Sequence, residues 1–514
     1  MPQKRTKHVR SSSSPARRAG SSRPRAASAP RGAHRSNPLA DGPTAARSSR
    51  ARRASRPTPS AGPQRRVAAD APAKALSLPG GGEVLLTRRH FLYGAAGLAA
   101  LVAVGAGGYA ATKAAGSRSS SVATLKVPED AVFTSEDCEQ IEDASSVMRM
   151  TASKELPYGS LVWASDDTVA ACLMPTDQAR PLATVGLLSL TSGTVNTVVK
   201  QAVGQDEGFE VYDVRANARG IVWAEADIMD GLWRVYAAAS DGMSISEPAL
   251  VDEGTTDWEM PTLAASGDYA WWQVLPRLDG PSKNEPSTLR RARFGSSEVE
   301  QVYSSNGRMS CPPSAVADGV VITPRAATSG TYYQLTRLDA ATAEVTDAVV
   351  LPNAMRPLEA AYGPTGFNFA FDAIYNYGDG IKNLGTYVPA APVSVDAAPV
   401  EEEGDGSSVR TIDAAGAAAY SAAPWFRFPR TPTAAPAWCG RWLMVKSTKA
   451  VCGVDPQTRQ YFMLDVQSGA DDYGDYLAST GSASRVVTFS NIDYTPLDGE
   501  QQRHCLVRVW SATE

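Results

Sequence analysis

Aromatic and acidic side chains occur together in two stretches of the chain, and this combination suits the recognition of sugars. One stretch, AIYNYGDGIKN, contains Tyr375, Tyr377 and Asp379. The other surrounds the adjacent Trp271 and Trp272. Aromatic rings stack on apolar faces of a ligand, while polar groups beside them form hydrogen bonds. We therefore treat these five residues as candidate ligand contacts. The alternative is that the tryptophans pack inside the fold.

Other chemistry receives little support from the residue types. His504 is the only histidine after residue 90, and no G-x-S-x-G motif accompanies it, so we interpret it as a strand residue. Haem CxxCH, iron–sulfur cysteine clusters and Gly-rich dinucleotide motifs are absent from the sequence. We predict no metal site and no cofactor. Paired carboxylates remain an option for acid–base catalysis, but so many acidic residues are present that no pair can be selected.

Six cysteines all lie in the C-terminal part of the chain, where an exported domain would allow disulfides. Cys439 and Cys452 flank one predicted hairpin, and we expect them to be the local pair. Cys172 lies in an apolar run and is compatible with a buried thiol.

Short apolar runs recur between residues 159 and 490. They are rich in Val, Trp, Tyr and Phe, as buried strands are. The runs are GSLVWA (159–164), GIVWAEA (220–226), DYAWWQV (268–274), GVVITPR (319–325), GFNFAFD (366–372), GRWLMVK (440–446) and SRVVTFS (484–490). Most are followed by a second strand and a turn of Asp, Ser, Thr or Gly, as in LLSLTSGTVNTVV.

A repeat of about 45 residues with three or four strands is typical of β-propeller blades. We therefore predict an all-β fold, a propeller of about seven blades (six to eight), over residues 158–514. A pair of β-sandwiches is the alternative. The turn Thr191-Ser192-Gly193 and the Asp-x-x-Thr turns at Asp339 and Asp455 resemble those of TolB-like and quinoprotein-like propellers.

Two further segments depart from the repeat. Residues 117–157 are expected to be a linker with a short helix at 136–150. An Ala-, Pro- and acid-rich insertion near 389–424 is expected to be a surface loop. The more specific alternative is that its acidic run, Glu401–Asp405, binds calcium.

The chain divides by charge into a basic tail and an acidic domain. Up to His90 there are 20 Lys or Arg and three Asp or Glu, whereas from Ser117 onward there are 29 and 51. Residues 1–86 show neither strand nor helix periodicity and few large apolar residues, so we predict a disordered tail. The acidic excess of the domain should repel nucleic acid.

A paired-arginine motif lies between the tail and the domain, within the segment 87–116. It is carried by Thr87, Arg88, Arg89, Phe91 and Leu92. The uncharged residues 91–112 follow, and as a helix they would span roughly 33 Å, enough for a bilayer core. The motif resembles the twin-arginine (Tat) export signal of bacteria, with Tyr93 where Lys is usual. An ordinary signal anchor is the alternative.

The twin-arginine resemblance implies a destination. The Tat translocase would be the partner during export, and residues 91–112 would contact the membrane. The domain would lie on the extracytoplasmic face of the bacterial cytoplasmic membrane, either anchored or released after cleavage.

Three functions follow from the sequence. The first is a non-enzymatic envelope propeller that binds a glycan or a protein. The second is a carbohydrate-active hydrolase or lyase with paired carboxylates in the propeller channel. The third, a cofactor-dependent oxidoreductase, lacks any cofactor motif. We expect the first.

Overall fold

The computed structural model of the chain describes residues 74–77, 83–86, 123–227, 229–328, 330–371, 386–390, 420–428, 434–496 and 499–513. Strands β1 (Lys74–Ser77) and β2 (Glu83–Leu86) form an antiparallel hairpin. This hairpin falls within residues 1–86, the segment predicted to be disordered. Among the described residues no helix is long and apolar enough to cross a bilayer, and the predicted segment 91–112 lies outside them.

Residues 123–156 form an extended segment that we call the N-terminal belt. It contains three strands, β3 (Val132–Thr134), β4 (Glu139–Gln140) and β5 (Met148–Leu156). Between them lie single 3-10 turns at Glu129–Ala131, Ser135–Asp137 and Ala144–Ser146.

Seven sheets follow, and each is one blade. Blade 1 consists of β6 (Leu161–Ala164), β7 (Val169–Pro175), β8 (Ala183–Ser189) and β9 (Val195–Val199). Blade 2 consists of β10 (Glu210–Asn217), β11 (Gly220–Asp227), β12 (Leu232–Ala239) and β13 (Ala249–Gly254). Blade 3 consists of β14 (Thr262–Ser266), β15 (Tyr269–Val274), β16 (Ser287–Arg293) and β17 (Val299–Ser305). Blade 4 consists of β18 (Ser314–Val316), β19 (Gly319–Ile322), β20 (Gln334–Asp339) and β21 (Val345–Val350).

The last three blades incorporate the belt. Blade 5 adds β3 to β22 (Pro357–Gly363), β23 (Gly366–Phe371), β24 (Thr386–Pro389) and β25 (Trp425–Phe428). Blade 6 adds β4 to β26 (Ala437–Cys439), β27 (Trp442–Lys446), β28 (Val451–Asp455) and β29 (Gln460–Met463). Blade 7 consists of β30 (Tyr476–Leu477), β32 (Arg485–Tyr494), β33 (Gln502–Ala512) and β5, whereas β31 (Gly481–Ala483) pairs with β26. Further 3-10 turns lie at Gln205–Glu207 and Pro281–Asn284.

The predicted seven-bladed propeller is therefore confirmed. Six of the seven predicted apolar runs form the second strand of a blade, and the run at 159–164 contains β6. Every junction between neighbouring blades is filled by an apolar cluster, including the junction of blades 7 and 1. Because each sheet is covered on both faces, successive residues of these strands are apolar, and their runs are continuous rather than alternating.

The turn chemistry expected from the sequence is present. The Asp339 carboxylate accepts the N–H groups of Ala341 and Thr342 at 2.9 and 2.8 Å. The Asp455 carboxylate accepts the Thr458 hydroxyl at 2.7 Å. These short-range bonds close the hairpins between the third and fourth strands of blades 4 and 6.

The belt corrects the prediction of a linker with a helix at 136–150. Leu125 donates its N–H to the carbonyl of Val350 in blade 4, and the three belt strands then pair with the outermost strands of blades 5, 6 and 7. A strand at the edge of a sheet leaves backbone donors and acceptors unpaired. Pairing with those edges overrides the weak helical periodicity of the segment, so the propeller begins before residue 158.

A buried carboxylate links blade 4 to blade 5. Asp347 accepts the Tyr362 hydroxyl at 2.9 Å and also the hydroxyl of Tyr420. Gly366, at φ +96°, leaves the space that the Tyr420 ring occupies. Burial raises the pKa of Asp347, and the two hydroxyl bonds partly offset that increase. Tyr420 thereby fixes the chain just before β25.

Candidate ligand-binding site at the axial mouth

Residues 478–483, here called the axial segment, run along the propeller axis. Ala164, at the end of β6 in blade 1, exchanges backbone hydrogen bonds of 2.9 and 3.0 Å with this segment. The segment then pairs in parallel with β26 of blade 6. Gly481 also lies against Val316 of blade 4, where an added Cβ would stand 2.8 Å from the Val316 Cα. Because blade 4 lies across the ring from blade 7, the segment fills the axis at this level.

The chain enters the axis through a turn that is fixed on blade 6. Lys446 donates from Nζ to the Tyr473 carbonyl at 2.6 Å, and Asp475 donates its N–H to the Lys449 carbonyl at 2.8 Å. Gly474 has φ +67°, and a Cβ there would meet the Lys449 carbonyl oxygen at 2.2 Å. Glycine alone satisfies both constraints. The turn therefore holds the residues on either side of Gly474 in fixed positions.

Buried charges lie beneath this turn. Asp475 is fully buried and forms an ion pair with Arg508, whose Nη1 also donates to the Asp465 carbonyl at 3.0 Å. Burial raises the pKa of Asp475, and the Arg508 charge partly offsets the increase. Lys446, 2% exposed, adds a second cation and lies 5.7 Å from the centroid of the Tyr476 ring. Asp475 is thus a structural counter-ion to two buried cations rather than a free acid or base.

Three tyrosines lie above the charges, and we call Tyr158, Tyr473 and Tyr476 the tyrosine cluster. Tyr473 is 66% exposed, and its ring centroid lies 6.3 Å from that of Tyr476. The half-buried Tyr476 ring stacks on Phe489 with centroids 5.1 Å apart. Burial raises the pKa of Tyr476, and Asp471 and the other two tyrosines raise it further.

Several other carboxylates of the first three blades are held by arginines. These pairs are Arg180–Glu210, Arg234–Glu207, Arg290–Asp252 and Arg308–Glu259. Glu225, which is fully buried, instead accepts two backbone N–H groups and the Trp223 indole N–H at 2.7 to 3.0 Å. Such partners give these carboxylates structural roles. None of those named here is available as one half of an unpaired acid–base couple.

Trp271 and Trp272 are core residues, which corrects their candidacy as ligand contacts. Both are fully buried on β15. Successive residues of a strand point to opposite faces, so Trp271 packs toward blade 4 and Trp272 toward blade 2. Their indole N–H groups donate to the Ser266 carbonyl at 3.2 Å and to Asp252 at 2.6 Å. Both tryptophans therefore pack inside the fold, which was the alternative to ligand contact.

Other predicted residues fall outside the described part of the chain. These are Tyr375, Tyr377 and Asp379, the export motif Thr87, Arg88, Arg89, Phe91 and Leu92, and the acidic run at 401–405. His504 lies in β33 opposite Ile492, in a strand as expected. Within the ranges that the structure covers, no group of three or more His, Cys, Asp or Glu side chains could hold a metal ion.

The structure separates Cys439 and Cys452, which were expected to pair. All six cysteines are free thiols. Cys439 lies on β26 and Cys452 on β28, with β27 between them. Two strand spacings amount to about 10 Å, beyond the reach of a disulfide. The two side chains also point to opposite faces of blade 6, into different apolar clusters.

The sequence does contain one pattern that points to the tyrosine cluster. The tripeptide Tyr-Gly-Asp at 473–475 repeats the one at 377–379 in the stretch that was selected. The second copy was not among the candidate ligand contacts. Its position at the entrance to the axis becomes apparent only from the strand order.

Comparison with known proteins assigns no family. No protein-family model and no curated protein matches the chain. Among solved structures, it is similar to a prolyl endopeptidase (TM-score 0.40, 12% identity, covering 85% of this chain and 56% of that one). It is also similar to an oligogalacturonate lyase in complex with manganese (0.39, 8%, 76% and 99%). A third neighbour is TolB from Acinetobacter baumannii (0.31, 10%, 58% and 64%). The chain thus spans little more than half of the endopeptidase.

Proposed function

We propose that this protein is an exported or membrane-anchored β-propeller that binds a component of the bacterial envelope and does not catalyse a reaction. The observation that carries the proposal is an exposed aromatic residue on a fixed turn, together with a centre of the ring that the chain itself occupies. Tyr473 is 66% exposed and lies against the end of β27 in blade 6, and residues 478–483 contact the innermost strands of blades 1, 4 and 6. An exposed aromatic residue suits recognition, whereas catalysis needs a pocket that encloses the reacting atoms.

A hydrolase or lyase would need carboxylates that can exchange protons with a substrate. Asp475 is fully buried and paired with Arg508. The carboxylates of the first three blades described above have arginine, backbone or indole donors, and Asp347 accepts two tyrosine hydroxyls. No single geometric observation therefore favours the catalytic alternative over binding.

Export is the part of the proposal that depends on the paired arginines. Arg88 and Arg89 would direct the folded domain to the Tat translocase, and residues 91–112 would cross the membrane. The test is cell fractionation of the wild type and an Arg88→Lys, Arg89→Lys variant, in cells with and without that translocase. Unchanged delivery of either protein in translocase-deficient cells would refute this route.

Binding is tested with purified full-length protein and isolated cell walls freed of membrane. We expect the protein to sediment with the walls, and the bound wall glycan to keep its chain length after prolonged incubation. Shortened glycan chains would instead favour the hydrolase or lyase. Failure to sediment with any envelope fraction would reject the binding function.

A further inference from the structure

Tyr473 combines high exposure with a fixed backbone. Its N–H donates to the Asp471 carboxylate at 2.9 Å, and its carbonyl accepts from Lys446 at 2.6 Å. The next residue, Gly474, lies directly against the Lys449 carbonyl. An exposed aromatic residue on a mobile loop would lose backbone entropy on binding, but the backbone of Tyr473 is already held in place. The arrangement provides a preorganised flat surface.

The groups around this surface include both donors and acceptors of hydrogen bonds. Asp471 offers acceptors, and the Tyr158 and Tyr476 hydroxyls act in both senses. Tyr473 and Tyr476 face each other with ring centroids 6.3 Å apart, and the Asp471 carboxylate accepts the Tyr473 N–H at 2.9 Å. A ligand that places several hydroxyls beside a flat apolar face would match this set.

The local charges disfavour ionic ligands of either sign. Two cations already lie against the tyrosine rings, with the Arg503 guanidinium 4.2 Å from the Tyr158 ring centroid and Lys446 5.7 Å from that of Tyr476. A cationic ligand would compete with them for the same rings. An anionic polymer would meet Asp471 and the exposed Asp472 beside Tyr473. A neutral molecule meets neither obstacle.

We propose that the tyrosine cluster binds a neutral saccharide, which stacks on the Tyr473 ring and forms hydrogen bonds with Asp471 and the Tyr476 hydroxyl. This inference rests on the proposed binding function and names its ligand class. Tyr473 is the stacking surface, and the buried Asp475, Arg508 and Lys446 hold it from below without touching the ligand.

The test is calorimetric titration of the full-length protein with chitohexaose, a neutral amino-sugar oligosaccharide. Because the ring supplies the stacking surface, we expect Tyr473→Ala to raise the Kd about tenfold. Tyr473→Phe keeps the ring and should stay within about twofold of the wild type. Met243→Ala, at a 70% exposed position in the loop after β12, is the control for loss of an exposed side chain and should leave the Kd unchanged.

The outcomes separate this inference from the proposed function. Equal affinity of the wild type and the Tyr473→Ala variant would overturn the assignment of the stacking residue. A protein that sediments with cell walls but does not bind chitohexaose would retain the binding function and refute the neutral saccharide. A protein that does neither would refute both.

Discussion

Gly481 lies against Val316 across the propeller axis, so close that a Cβ on Gly481 would stand 2.8 Å from the Val316 Cα. Gly481 also has φ +77°, in the left-handed region. We expect Gly481→Ala to lower the free energy of unfolding by about 3 kcal/mol, since the left-handed backbone costs ~1–2 kcal/mol and overpacking ~1–3 kcal/mol. Urea unfolding followed by tryptophan fluorescence measures the change.

The matched control for that variant is Gly193→Ala. Gly193 has φ +69°, but the nearest atoms to an added Cβ are 3.8 and 3.9 Å away. It should therefore show only the backbone cost of ~1–2 kcal/mol. Equal losses for the two variants would mean that the axial segment is not packed against blade 4.

Removal of the Asp475 charge should destabilise the protein strongly. Asp475→Asn leaves the buried Arg508 and Lys446 without their carboxylate, and breaking a buried pair costs ~3–5 kcal/mol. The exposed pair Arg293–Asp268 gives the comparison, because Asp268→Asn should cost less than ~1 kcal/mol. Thermal and urea unfolding of both variants tests the difference. A mild effect at Asp475 would contradict the buried counter-ion role.

Stability should vary with pH through Asp347. Because burial raises its folded-state pKa above the unfolded value of ~3.9, the carboxyl takes up a proton on folding between those two values. Its contribution to the free energy of unfolding is therefore complete below about pH 3.9 and is lost as the pH rises through the folded pKa. Asp347→Asn removes this titration. The wild type should gain stability relative to the variant as the pH falls from 7 to 4, and a gain in the opposite direction would contradict the raised pKa.

The cysteines should react in two groups. Cys138 is partly exposed, whereas the other five are buried, and burial raises the pKa of Cys172, Cys311 and Cys452 to about 12. At pH 8 we expect iodoacetamide to label Cys138 first and all six thiols only in urea, as read by mass spectrometry. Protection of Cys439 and Cys452 in urea without reductant would reveal the disulfide that the strand order excludes.

The blade repeat could be predicted because its cause is local. Strands covered on both faces need continuous apolar residues, and the turns need Asp, Thr or Gly, as Asp339 and Asp455 illustrate. Trp271 and Trp272 obey the same rule, which is why their apolar pattern indicated a core more reliably than a ligand site.

The belt and the axial segment could not be predicted because their partners are distant in sequence. β5 pairs with β33, more than 300 residues later, and the axial segment depends on Ala164 and Val316. Nothing near Met148 or Gly481 specifies such partners. The tyrosine cluster depends on the same long-range pairing, since Tyr158 follows β5 and Tyr473 precedes β30, two strands of blade 7 that are more than 300 residues apart.

The pairing of β5 with β33 sets the order in which the molecule can be completed. β5 is translated more than 300 residues before its partner, Gln502–Ala512. Until that partner is made, blade 7 is incomplete and the circle stays open between blades 6 and 1. Closure of the circle therefore waits for the last strand that the structure describes, and loss of Gln502–Ala512 would open the whole circle rather than remove one strand.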